Sequence, residues 1–152
     1  MPENQTLAPS GAEAERAAGE LRLRATGCSM LPSLWPGDWL TVRPEKPVRL
    51  GDVILFRRHG RLYGHRVIRE ILVGSRRTFI THGDGLRHAD TPVPDSDVLG
   101  PVVLVTRGSR SFRPARHKSP LVQLITFGVR RIRWAPVLMV RLYTLSKRLR
   151  RQ

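Results

Sequence analysis

Few residues in this chain have side chains suited to covalent chemistry. The stretch GCSMLPSLWPGDWL, residues 27–40, holds Ser29 between a cysteine and a methionine, just ahead of two prolines. A serine hydroxyl is a weak nucleophile until a base removes its proton. The base must come from elsewhere, and a histidine base needs a carboxylate to orient it. Lysine is nearly eliminated by counting. The three lysines are Lys46, Lys118 and Lys147, and none falls between residues 47 and 117. Lys46 lies in the Pro-flanked loop RPEKPVR, so a Ser/Lys pair requires that loop to fold back on the core.

The histidines are His59, His65, His82, His88 and His117. His59 and His117 sit in basic loops and read as solvated. His65 lies within RLYGHRVIRE, beside Gly64, which allows another backbone or a substrate to approach closely. A lone strand histidine is more often structural than catalytic. The carboxylates near this set are Asp84 and Asp90, in THGDGLRHAD. Asp38 and Asp52 each follow a glycine and read as turn aspartates that accept local backbone N–H bonds. Asp84, after Gly83, allows the same turn reading. His82, Asp84 and His88 fit no compact zinc spacing, no glycine loop suited to phosphate occurs, and neither a metal nor a cofactor is expected.

The elements that must position these residues read as strands. LRLRA (21–25) alternates apolar and polar residues. DWLTVRP (38–44), GDVILFRR (51–58), RLYGHRVIREILV (61–73), TFITHGD (78–84) and SDVLGPVVLVTR (96–107) follow, separated by turn signals. A bulge is expected at Gly64. Residues 1–20 read as a flexible, Ala/Glu-rich arm with one short helix near Ala12–Glu20. Residues 21–107 read as one mainly β domain, a small curled sheet or partly open barrel. Residues 108–118 read as a basic linker. Residues 119–152 carry a helical apolar period broken at Pro136, with arginines interspersed.

The 152 residues carry a net charge of +15, which implies an anionic partner. Nine basic and no acidic residues lie between Lys118 and Gln152. That tail reads either as a membrane-surface amphipathic helix, drawn to anionic lipid, or as a helix packed on the β domain with a solvated basic face. No helix-turn-helix or aromatic nucleic-acid pattern appears, so nucleic acid is the less favoured partner. One cysteine, Cys28, excludes an internal disulfide. No secretory leader or stretch of about 20 apolar residues is visible. The expected location is peripheral to a membrane, on its cytoplasmic side.

Four boxes in order now become informative together. Gly27, Ser29, Met30, Pro32, Leu34, Gly37 and Asp38 form G-x-S-M-x-P-x-L-x-x-G-D, which resembles the nucleophile box of signal peptidases and of the self-cleaving repressors of the SOS response. GDVILF (51–56) is similar to the strand that follows it in that superfamily. GHRVI (64–68) resembles the base box of the Ser/His branch, found in the endoplasmic reticulum and archaea. THGDGLRHAD (81–90) resembles the box that supplies two acidic residues, and Val98, Gly100 and Val102 match the closing strand. The resemblance covers residues 25–105.

It implies a signal-peptidase type β fold with a hydrophobic substrate groove. It implies a serine endopeptidase with Ser29 as nucleophile, His65 as general base, and Asp84 and Asp90 as acidic partners. One of the two would orient His65 and the other hold structure; the sequence leaves open which. The implied substrate is a leader or signal-like peptide, cleaved after small residues. The alternatives are a catalytically inactive peptide- or membrane-binding module on the same scaffold, and a basic regulatory nucleic-acid-binding protein. Two departures stand out. Gly27 and Cys28 replace the hydroxyl residue and glycine common before a signal peptidase nucleophile, and no membrane anchor of the family's kind is visible.

Overall fold

A computed structural model describes residues 14–17 and 19–117. The tail proposed over 119–152 and most of the N-terminal arm lie outside the described residues. What is described is mainly β: an open antiparallel sheet of nine strands. In chain order these are β1 (Ala14–Ala17), β2 (Glu20–Arg24), β3 (Trp39–Val42), β4 (Val53–Arg58), β5 (Arg61–Val73), β6 (Arg76–His82), β7 (Val93–Pro94), β8 (Val98–Arg107) and β9 (Arg110–Phe112). Laterally they run β1-β2-β3-β8-β4-β5-β6-β7, with β9 also paired to β8.

The VILF run of β4 explains the centre of the fold. Val53 and Leu55 join one apolar cluster, with Leu23, Leu40, Val42, Val102 and Val105. Ile54 and Phe56 join the other, with Val48, Val67, Phe79 and Val93. Alternate side chains of a strand point to opposite faces. A strand covered on both faces therefore reads as an unbroken apolar run. β8 bridges the two halves, since it pairs with both β3 and β4 and shifts register against each. Gly100 lies at this crossing with φ +138°. A Cβ there would lie 2.8 Å from the Arg43 carbonyl oxygen, so the loop after β3 can cross only over a glycine.

Three expectations need correction. The arm near Ala12–Glu20 is not helical where described: β1 and β2 form a hairpin around Gly19, at φ +78°. Alanine and glutamate are good helix formers, but local propensity is a weak determinant, and cross-strand pairing with β2 overrides it. The basic linker contains β9, paired with the end of β8. The bulge in β5 is not at Gly64, which pairs normally with Leu55. It falls between Val67 and Arg69, where register against β6 shifts.

Candidate active site

Ser29 lies in the turn-rich segment between β2 and β3 and is 8% exposed. Met30 and Leu34, close to it in sequence, belong to the first core cluster and pin the segment down. His65 sits mid-strand in β5 opposite Ile54, with a side chain 1% exposed. Its ring meets those of Phe56 and Tyr63 edge-on, at centroid distances of 6.0 and 6.2 Å. These contacts hold the imidazole in one plane.

Two short bonds run through that imidazole. His65 Nε2 is 3.0 Å from Ser29 Oγ, and His65 Nδ1 is 2.6 Å from Asp90 Oδ2. With the ring proton on Nδ1, Nδ1–H donates to Asp90 and Nε2 accepts the serine hydroxyl. Thr81 Oγ also donates to Asp90 Oδ2, at 2.6 Å, and the Asp90 N–H donates to the Thr81 carbonyl at 2.8 Å. The last turn of the loop after β6 is thus fixed to β6 itself. Burial alone would raise the Asp90 carboxyl; the bonds from His65 and Thr81 and the nearby positive charge of Arg58 outweigh it and leave the carboxyl below its ordinary value. Asp90 is therefore a carboxylate at neutral pH.

Asp84 occupies a different place. Its side chain is 0% exposed, and Arg66 grips both its oxygens, Nε to Oδ1 at 3.0 Å and Nη2 to Oδ2 at 2.8 Å. Ser33 Oγ donates to the same Oδ2 at 2.5 Å. Arg66 Nη1 spends its remaining donors on the carbonyls of Gly51 (2.8 Å) and Ala115 (2.6 Å). A bidentate, fully bonded pair of this kind is a structural tie. It joins β5 to the serine segment through Ser33 and to the chain after β9. The backbone adds to it: the Gly85 N–H donates to the Ser29 carbonyl at 2.8 Å, and a Cβ on Gly83 would lie 2.8 Å from that same oxygen. The 83–85 turn therefore packs directly on the serine segment, and only a glycine at 83 allows it.

The structure brings Ser29, His65 and Asp90 into one hydrogen-bonded line and sets Asp84 in the tie beside it. Thr81, Arg66 and Ser33 were not singled out in the sequence, although all three lie inside the quoted boxes. Asp38 and Asp52 accept from the Trp35 and Arg49 N–H groups, as turn aspartates, and Asp38 also holds Arg107. Burial pushes the Cys28 thiol up, so the sulfur next to Ser29 stays protonated and weakly nucleophilic. No cluster of His, Cys, Asp and Glu suited to a metal occurs among the described residues.

The model of the Peptidase S24-like family matches residues 4–98. The chain belongs to the Peptidase S24-like family. This S24-like match spans Ser29, His65, Asp84 and Asp90 and gives the chain a serine peptidase-type scaffold. It places the chain in the superfamily of signal peptidases and self-cleaving repressors. No curated protein matches the S24-like chain. No helix among the described residues is long and apolar enough to cross a membrane.

Proposed function

We propose that this S24-like protein is an active serine endopeptidase that cleaves a leader or signal-like peptide, with Ser29 as nucleophile, His65 as general base and Asp90 as the carboxylate that orients it. The observation that carries this reading is the line from Ser29 Oγ to His65 Nε2 (3.0 Å) and from His65 Nδ1 to Asp90 Oδ2 (2.6 Å). A buried imidazole with one nitrogen held by a carboxylate and the other facing a hydroxyl is suited to move a proton.

In this mechanism Nε2 takes the hydroxyl proton as Oγ attacks the scissile carbonyl carbon. The C–O bond forms, and the carbonyl electron pair moves onto oxygen. Backbone N–H groups around Ser29 stabilise that oxyanion, since neither Gly27 nor Cys28 offers a hydroxyl for the purpose. The imidazolium, stabilised by Asp90, returns the proton to the leaving amine as the C–N bond breaks. Water then repeats the cycle on the acyl-enzyme. Asp84 takes no proton in this scheme; it holds the serine segment through Arg66 and Ser33. The substrate is proposed to bind as an extended strand, the mode in which main-chain hydrogen bonds to a β protein give affinity.

A fluorophosphonate probe tests the reading directly. Covalent labelling that is present in the parent protein and absent in Ser29→Ala and His65→Ala supports it. Labelling that persists in Ser29→Ala, or none in the parent, sinks it in favour of a non-catalytic binding module.

A further inference from the structure

Among the described residues, four of the five large exposed apolar side chains lie at one end. They are Leu50 (61% exposed), Ile68 (46%), Leu72 (73%) and Val73 (57%). The Gly51 N–H donates to the Val67 carbonyl at 2.9 Å, which sets Leu50 beside Ile68. Beyond that bond β5 has only β6 as a neighbour among the described residues, and β7 reaches only Thr78 and Phe79 on β6. Residues 72–77 are therefore a bare two-stranded tip. Leu72 and Val73 point to opposite faces of it, so the molecule's own sheet can bury neither fully.

The same end is strongly basic. Arg69 and Arg76 at the tip are exposed, and the exposed Glu70 between them in the ribbon is neutralised by Arg77, Nε to Oε1 at 2.5 Å, so the ribbon keeps a positive excess. An open cleft of about 910 Å³ beside Leu50 is lined by Arg43, Lys46, Arg49, Arg113 and Arg116, against two carboxylates, Glu20 and Asp52. Glu20 is paired with Arg43 and Asp52 with Arg116, so the cleft keeps a positive excess. Arg77 Nη2 donates to the Val48 carbonyl at 2.9 Å and ties the ribbon to the wall of the cleft. Arg113, Pro114 and Arg116, which line the cleft, come just before the last described residue, His117.

We propose that this end, the 68–77 ribbon tip together with the 43–52 and 113–116 cleft, docks on the surface of a bilayer containing anionic phospholipid. The tip, with Leu72 on one face and Val73 on the other, enters the acyl boundary, and the cleft receives headgroup phosphates. A protruding tip with no concave apolar complement suits a soft apolar phase better than a folded partner, and the arginine collar matches a negatively charged interface. The surface is independent of the proposed peptidase activity.

The test uses the full chain carrying Cys28→Ser with either Leu72→Cys or, at the far end of β5, Arg61→Cys, each labelled with an environment-sensitive fluorophore. Phosphatidylcholine vesicles with and without phosphatidylglycerol are compared, and brominated acyl chains act as quenchers. Quenching of the Leu72 label alone, only with phosphatidylglycerol present, is the expected result. Leu72→Asp with Val73→Asp should weaken vesicle binding at least about tenfold, because each buries a charge at the acyl boundary. The proposal is overturned if the protein does not bind these vesicles. It is equally overturned if bound protein leaves the Leu72 label unquenched, if the double aspartate variant binds as the parent does, or if duplex DNA is bound in preference to vesicles.

Discussion

Asp90 and Asp84 are six residues apart, yet substitution at each should have opposite consequences. Asp90→Asn keeps the shape but removes the acceptor that fixes the Nδ1 proton. Fluorophosphonate labelling and peptide cleavage should fall by about 10³–10⁴, far more than the loss of one buried carboxylate's stabilisation lowers the thermal midpoint at neutral pH. The acid limb of stability checks the electrostatics. The Asp90 carboxyl lies below its ordinary value in the fold, so its contribution is present above about pH 4 and is lost as pH falls through the lowered value. Asp90→Asn should remove that component, measured as a flatter stability curve below about pH 4. The pairing of Ser29 with His65 was legible from the likeness of their two boxes to the Ser/His branch, with the lysine count in support. The two aspartates were not separable in the sequence. Both lie in one loop whose path no periodicity specifies, and the difference rests on Arg66, whose long side chain reaches Asp84 rather than solvent.

At the level of elements, the turn at 83–85 and the arginine beneath it set where the serine segment sits. Gly83→Ala would push a methyl to within 2.8 Å of the Ser29 carbonyl, which real contacts do not tolerate. The labelling rate should drop although every reacting group is intact, while far-ultraviolet circular dichroism stays that of a β protein. Arg66→Met removes the bidentate cationic partner of the buried Asp84 carboxylate and should cost about 3–5 kcal/mol in denaturant unfolding. The strands around these ties were readable from alternation and from the VILF run. β1 was not, because Ala-Glu-Arg-Ala has helical propensity and becomes a strand only by pairing with β2. β7, two residues long and containing Pro94, is too short for any periodic signal. The bulge moved from Gly64 to Ile68 because Gly64 faces Leu55 in a regular ladder, whereas the shift past Val67 is set by β6.

For the whole molecule, protection should follow the strand order. Amide exchange should be slowest in β4, which has neighbours on both sides and cores on both faces, and in β8, which is paired on both sides, and fastest in residues 69–77. Exchange mass spectrometry on the free protein checks this gradient; uniform protection across β5 would contradict it. The net charge of +15 pointed to an anionic partner, but which end of the molecule would meet it required the folded strands. The bulge after Val67 has a further consequence. His65 is registered against β4, whereas the ribbon beyond the bulge is registered only against β6. Adding or removing residue pairs at the tip therefore leaves the imidazole where it is. From His65 to Val73 the strand spans roughly 26 Å, at about 3.3 Å per residue. That span works as an adjustable leg: its length can drift over evolution and change how far the chemistry stands from whatever the foot rests on, with no cost to the chemistry itself.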